Sequence, residues 1–287
     1  MEPDLIREYF DRLAERYDSH AALEQEVAAR LLERTVFNRL APARILDLGC
    51  GTGTASAALK KQFRQAQVIG LDSSALMLKQ LKQKSRLLKP LKAICADATA
   101  LPLAAQSLDM VFSSLVNHWL DDPAALFTEM RRVLRPEGML MFATLGPQSL
   151  NELGSVWSGL DAAVQLEVFP DLMELGDALF AAGFREPVMD TERITLQYPD
   201  LKSMMLELEA TGASLLVSGW EKWESAHEQL AEGFEALLID GKYPITFEIV
   251  YGLAFGPPES QPRKTDQGDI VTISVDSLLK SRPMGYD

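Results

Sequence analysis

The sequence predicts an α/β protein with a doubly wound, mostly parallel seven-stranded sheet and a helical cap. Three observations predict it. Between Ala43 and Thr144, short apolar runs alternate with helical patterns of roughly ten to fifteen residues, which calls for crossover connections and a sheet covered on both faces. The first run ends in Asp47-x-Gly49-x-Gly51-x-Gly53, where glycines let the backbone turn sharply and approach a ligand. After Thr144 the rhythm breaks into helices interrupted and followed by two alternating, strand-like runs.

Taken in order, Leu5 to about Leu40 reads as two amphipathic helices. Ile6, Phe10, Leu13 and Tyr17 form one stripe; Val27, Leu31 and Leu32 form another. Ala43–Leu48 is a short strand followed by a helix from Thr54 to Phe63. Gln67–Leu71 is the next strand, and the helix Ser74–Arg86 can be capped by Ser73 or Ser74. Strands are expected at Leu91–Ala96, Leu108–Ser113 and Met139–Thr144, with the helix Pro123–Leu134 between the last two. Later helices are expected at Leu150–Gly159, Leu172–Ala182, Leu201–Thr211 and Trp220–Leu238. Arg185–Tyr198 and Ile245–Phe255 then add strands at the sheet edge, and the late helices cap its carboxyl end. Gly256 to Gly268 reads as a polar exit loop, and Ile270–Val275 as one last short strand. The resulting organisation is a helical lid (1–40), an α/β core (41–147), a cap with late strands (148–256) and a tail (257–287).

Composition excludes several classes. A chain of 287 residues that is 47% hydrophobic can bury a full core. No run approaches the roughly eighteen apolar residues of a membrane helix, and no secretory h-region opens the chain. A formal charge of −13 argues against a nucleic-acid enzyme, which needs clustered Lys and Arg. The basic run Lys79–Arg86 reads as a solvated helix face. Cys50 and Cys95 suggest neither pairing nor metal spacing, and His20, His118 and His227 lie far apart. A cytoplasmic protein without a bound metal is expected.

The chemistry sits at strand ends. The glycine loop departs from G-x-G-x-x-G, because position 54 is Thr and the glycine falls at Gly53. Asp72 ends the second strand, where a carboxylate can accept both hydroxyls of a ribose; helix capping is its competing role. Asp97, in Cys95-Ala96-Asp97-Ala98, ends the third strand, where an acid can accept an adenine amino group. Three strand-terminal acids in succession point to one ligand.

Ile45-Leu46-Asp47-Leu48-Gly49-Cys50-Gly51-Thr52-Gly53, Gly70-Leu71-Asp72, Cys95-Ala96-Asp97-Ala98 with Leu101-Pro102, and Leu134-Arg135-Pro136-Glu137-Gly138 together resemble the class I, Rossmann-like methyltransferases over roughly residues 40–145. The resemblance implies S-adenosyl-L-methionine as cofactor and S-adenosyl-L-homocysteine as product. It gives Asp47, Gly49, Cys50, Gly51 and Gly53 to the methionine end, Asp72 with Ser73 to the ribose, and Asp97 with Ala98 to adenine; Ser113 joins the set at the fourth strand end.

A narrower resemblance covers nearly the whole chain. Phe10–Asp18 with Gln25, Ser113-Ser114-Leu115 with Trp119, Phe142–Leu153, Thr211-Gly212-Ala213 and Tyr243–Gly252 are similar to the malonyl-acyl-carrier-protein O-methyltransferases of biotin synthesis. That implies methylation of the free carboxylate of a malonyl thioester, carried by acyl carrier protein or by coenzyme A, with no part for nucleic acid or membrane. The family tends to carry arginines around 214–223, whereas the one cation here is Lys222, and His118 stands where a glutamine is expected.

A carboxylate acceptor is ionised at neutral pH and needs no general base, which suits a chain without a catalytic dyad. The enzyme then has to align the acceptor and exclude water. Expected acceptor-side residues are Tyr17 as a lid, His118 lining the pocket, and Arg193, Lys202 or Lys222 orienting the distal carboxylate. Trp220 and Trp223 read as core of the cap. The competing readings are a methyltransferase for another small-molecule or protein acceptor, and a cofactor-binding protein without methyl transfer.

Overall fold

The computed structural model describes residues 2–37, 41–86, 90–120, 122–160, 164–258, 263–265 and 268–270. Apolar runs set the central strands. β1 (Arg44–Leu48), β2 (Gln67–Asp72), β3 (Lys92–Cys95), β4 (Leu108–Ser114) and β5 (Leu134–Leu145) pair in parallel; β7 (Tyr243–Phe255) is antiparallel between β5 and β6 (Arg185–Tyr198). The order β3-β2-β1-β4-β5-β7-β6 reverses direction between β1 and β4, and ligands bind at such a switch point. Seven mostly parallel strands with flanking helices are the predicted class.

Both faces of the sheet are covered, so the middle strands are apolar on both sides. On one face, α2 (Ala22–Glu33) and α3 (Thr54–Gln62) bury Val27, Leu31 and Leu59 against Ile45, Met110 and Phe112. On the other, α5 (Pro123–Val133) buries Leu126, Phe127 and Met130 against Leu46 and Val111. Ser74 caps α4 (Ala75–Lys84) by accepting from Met77 N at 3.0 Å, and Asp122 caps α5. α1 (Pro3–Leu13) precedes α2 and packs on α4.

The late region differs from expectation in three places. α7 (Leu172–Ala181) belongs to no cap: Leu175 and Leu179 lie in the same cluster as Phe127 and Met130, so it is a crossover helix on the sheet. α6 (Asn151–Leu160) and α8 (Leu201–Ala210) appear as expected, but the helix expected over Trp220–Leu238 is broken into a 3₁₀ turn, α9 (His227–Phe234) and a second turn. Gly219, at φ 74°, turns the chain just before Trp220. That bend sets Trp220 5.9 Å from Trp157 of α6, while α9 buries Leu230 and Phe234. The exit loop gives way to a small hairpin of β8 (Arg263–Thr265) and β9 (Gly268–Ile270). Of the strand expected at 270–275, all but Ile270 lies outside the described residues, as do positions 1 and 38–40 of the expected lid. Among the described residues no helix is long and apolar enough to cross a membrane.

Candidate functional site

One cavity lies over the carboxyl ends of β1, β2, β3 and β4. Its floor is the glycine loop. Gly49 N and Cys50 N donate to Leu71 O at 2.8 and 3.0 Å, which ties the loop to β2. Gly51 N donates to Asp72 Oδ2 at 2.8 Å, and Ser74 N donates to Asp72 Oδ1 at 2.8 Å. Asp72 therefore braces the loop and the start of α4 together, and each of its oxygens keeps a lone pair for a ligand. Burial pushes its carboxyl up, against the pull of those amides.

The loop glycines do different jobs. A Cβ on Gly53 would sit 2.6 Å from Leu81 Cγ, so Gly53 serves packing and does not line the cavity. Gly51, at φ +51°, would point its Cβ into open space, with none of the described residues within 4 Å. That open space is where a ligand can approach the backbone.

Asp47 is 2% exposed at the end of β1 and accepts from Ser56 Oγ at 2.5 Å. Burial raises its carboxyl to about 7. Asp97 is exposed at the rim, with Oδ1 accepting from both Thr99 N and Thr99 Oγ1 at 2.7 Å. Cys50, Ser73 and Ala98 also line the cavity, and burial pushes the Cys50 thiol up. Ser113 does not line it: the strand end meets the cavity through Ser114, because successive strand residues face opposite ways.

The N-terminal segment closes the cavity through contacts that sequence reasoning missed. Asp11 Oδ1 accepts from Ser74 Oγ at 2.5 Å and from Leu76 N at 3.2 Å, fixing α1 to the start of α4. Asp18 accepts from Thr52 Oγ1 at 2.5 Å and pairs with Lys84 Nζ at 2.6 Å; Lys84 also donates to Thr52 and Thr54. Burial favours the neutral form of Asp18, but the bonds from Lys84 and Thr52 win and hold its carboxyl low. On the far side, Tyr9 donates to Glu209 O at 2.9 Å, and Phe10 meets Trp119 edge-on at 5.3 Å. Asp11 and Asp18 carried no signal beyond their place in the entry-helix pattern, because their partners lie 34 to 66 positions away.

Beyond the glycine loop the cavity turns apolar. Leu23 and Ala28 of α2, Trp119, Leu145, Ala213, Leu216 and Phe247 line it. Three groups there can exchange a proton: Tyr17, Glu24 and His118. Burial, with the charges of Glu24 and Asp72 adding, raises Tyr17 well above its usual range. Burial lowers His118 to about 3, so its imidazole is neutral, and among the described residues its Nδ1 has no hydrogen-bond partner. Glu24 was not among the expected residues.

The expected cations are elsewhere. Arg193 projects from the edge strand β6, is exposed and bonds Gln148 Oε1. Lys202, the second residue of α8, is exposed, as is Lys222. None of the three lines the cavity, and among the described residues no lysine or arginine does. Five acids do: Asp18, Glu24, Asp47, Asp72 and Asp97. Carboxylates gathered at the glycine-loop end favour a cationic ligand there. S-Adenosylmethionine fits this donor set, since its sulfonium and ammonium are cationic and its ribose needs acceptors. Among the described residues no cluster of three or more His, Cys, Asp or Glu is disposed to hold a metal.

Residues 46–142 match the family described as a methyltransferase domain. The chain is 44% identical over 261 residues to the malonyl-[acyl-carrier protein] O-methyltransferase of Gallionella capsiferriformans (strain ES-2), covering 88% of this chain and 90% of that protein. It is 42% identical over 285 residues to the protein of that name from Laribacter hongkongensis (strain HLHK9), covering 93% and 94%. Its fold is shared with a Haemonchus contortus phosphoethanolamine N-methyltransferase solved with phosphomonomethylethanolamine and S-adenosylhomocysteine. There the TM-score is 0.55 at 20% identity, covering 88% of this chain and 60% of that one.

Proposed function

The chain belongs to the malonyl-[acyl-carrier protein] O-methyltransferases, S-adenosylmethionine-dependent enzymes of biotin synthesis, and we propose that this cavity methylates the free carboxylate of a malonyl thioester. One observation carries the reading: a single cavity joins an acid-lined, glycine-floored half to an apolar half closed by the N-terminal segment. The first half suits a cationic methyl donor, and the second suits a short acyl thioester.

When bound, S-adenosylmethionine supplies a sulfonium methyl, which a carboxylate oxygen can take with the carbon–sulfur electron pair left on sulfur and no proton moved. The residues therefore bind, orient and exclude water. Asp72 is suited to accept the ribose hydroxyls. Asp97 has one carboxylate oxygen left for the adenine amino group. Gly51 leaves room for the methionine end beside Asp47 and Cys50, and Ser73 and Ala98 complete the walls. Tyr17 and His118 stay neutral over the reacting end, so neither takes a proton from the acceptor nor donates a full charge to it. The carrier is acyl carrier protein or coenzyme A, in the cytoplasm, with no nucleic acid or membrane required.

The test is incubation with methyl-labelled S-adenosylmethionine and, separately, malonyl-acyl carrier protein and malonyl-coenzyme A. The expected product is a base-labile methyl ester, 14 mass units heavier, on the malonyl group. Binding of S-adenosylhomocysteine without label transfer to either thioester would overturn the acceptor assignment and leave the cofactor site intact.

A further inference from the structure

The acceptor half poses a problem of charge. A malonyl carboxylate is an anion, yet no lysine or arginine lines the cavity among the described residues. Burying an uncompensated carboxylate in an apolar chamber is costly. A hydrogen-bond donor must stand in for the missing cation.

Glu24 is placed to be that donor. It lies on α2 and lines the same cavity as Leu23, Ala28, His118 and Phe247. Its Oε2 is buried and, among the described residues, has no hydrogen-bond partner. Its surroundings disfavour a charge on balance, with only its own backbone amide favouring one. Glu207, on α8, faces it while accepting from Tyr198 Oη of β6 at 3.1 Å. Tyr17, from the turn after α1, and Tyr198 both feel its charge, and neutral His118 shares its cavity. A buried acid with an acidic neighbour and no cation is protonated more readily than a free one. Burial, with a smaller push from Glu207, raises it to about 7 against the bond from its own backbone amide.

Building on the malonyl reading, we propose that Glu24, as a protonated acid, donates a hydrogen bond to the acceptor's distal carboxylate and so replaces the cation such an anion would otherwise require. Two carboxyl groups then share one proton, an arrangement stable only while the pair carries a single negative charge. The acceptor oxygen that receives the bond is held, and the other oxygen stays free to take the methyl. Glu24 keeps its proton throughout, so it is a positioning residue and no base. A full cation would draw electron density from both oxygens, whereas one neutral donor leaves the reacting oxygen nucleophilic.

The sign of the pH dependence follows. Loss of the Glu24 proton puts a second anion in the chamber, so acceptor binding weakens as pH rises through about 7. Asp47 titrates in the same range on the donor side, so turnover is read at saturating cofactor, with cofactor affinity measured separately.

The experiment compares wild type, Glu24→Gln and Glu24→Leu with malonyl-acyl carrier protein between pH 6 and 9. Far-UV circular dichroism and S-adenosylhomocysteine calorimetry establish that each variant is folded and loaded. For wild type, kcat/KM should fall about tenfold per pH unit above the transition, chiefly through KM. Glu24→Gln, a donor that cannot ionise, should abolish that fall and exceed wild type at pH 8.5. Glu24→Leu should lose about tenfold or more at pH 6.5 by removing the donor. A second readout needs no turnover. Malonyl-acyl carrier protein binding to the S-adenosylhomocysteine complex at pH 8, followed by calorimetry in buffers of different ionisation enthalpy, should take up about one proton in wild type and none in Glu24→Gln. A wild-type pH profile in Glu24→Gln, or wild-type turnover in Glu24→Leu, would overturn the role of Glu24 alone. A wild type that binds cofactor but methylates no malonyl thioester would overturn the acceptor reading and this proposal with it.

Discussion

The two halves of the cavity are built by opposite strategies. The donor half comes from strand ends and the loops that directly follow them: Asp47 to Gly51, Asp72 with Ser73, and Asp97 with Ala98. It is polar, braced by main-chain amides, and carried by three neighbouring strands of one sheet. The acceptor half is assembled from distant pieces, with Tyr17, Glu24, His118, Ala213 and Phe247 meeting across some 230 positions of chain. It is largely apolar, and two of its polar atoms, Glu24 Oε2 and His118 Nδ1, have no hydrogen-bond partner among the described residues. A half made of local motifs fixes a cofactor common to many enzymes. A half made by convergence can be re-cut for one acceptor without disturbing the other.

The largest effect that can break this division is at Gly51. Gly51→Val should leave a folded protein, since nothing lies within 4 Å of the new Cβ, while its branched side chain fills the space proposed for the methionine end. Strain at φ +51° should cost about 1–2 kcal/mol of stability. S-Adenosylhomocysteine binding should fall below detection by calorimetry, with circular dichroism unchanged. Normal binding would mean that the loop serves another ligand. Gly53→Val should do the reverse: it collides with Leu81 and should unfold the protein before it touches the cofactor.

Asp72→Ala comes next. It removes the proposed acceptor for ribose hydroxyls and the brace on Gly51 N, and should weaken S-adenosylhomocysteine by about 1–3 kcal/mol, or roughly five- to 150-fold. Unchanged affinity in a titration would strike Asp72 from the donor half.

How much of each half was legible follows from the same contrast. Glycines and acids at strand ends announce themselves in a short window, because spacing along the chain is spacing in the loop. Five of the expected strands and all the central helices stand within a few residues of where periodicity put them, β6 lies at its expected bounds, and β5 begins at Leu134, five residues before the expected Met139. The misses are tertiary. Ser113 was one residue off because alternation along a strand does not say which face meets the cavity. α7 has the same apolar stripe whether it packs on a sheet or forms a lid, so its place beside α5 could not be read from it. Glu24 resembled any helix-surface glutamate until α8 and β6 closed over it.

The pH dependence of stability sharpens the comparison further. Asp47, raised to about 7, binds its proton more tightly folded than unfolded. Its stabilising share is therefore complete below the unfolded carboxylate range and is lost as pH rises towards 7. Asp47→Asn should lessen the fall in thermal stability of the cofactor-free protein between about pH 4 and 7, leaving the share that Glu24 contributes in the same range. His118 acts in the other direction. Held near 3, it stabilises the fold above the ordinary histidine range, and that share is lost as pH falls below about 6.5. A melting-temperature profile unaltered in Asp47→Asn would show that this carboxyl is not held neutral.

The smallest expected effect tests the acceptor half by what should leave it untouched. Arg193, Lys202 and Lys222 were the cations from which the sequence would draw a partner for the malonyl carboxylate. All three are exposed and outside the cavity, and Arg193 is engaged with Gln148 at the sheet edge. An exposed charge outside the chamber is screened by water and adds little to binding within it. Replacing each in turn with Met should leave kcat/KM for malonyl-acyl carrier protein within about twofold at 0.15 M salt, a change of under 0.5 kcal/mol in transition-state binding. A loss of tenfold or more from any one, with cofactor affinity intact, would put a cation on the substrate after all. It would also mean that the acceptor half closes further around the thioester than it does here, carrying that side chain inward from β6, α8 or the turn after Gly219.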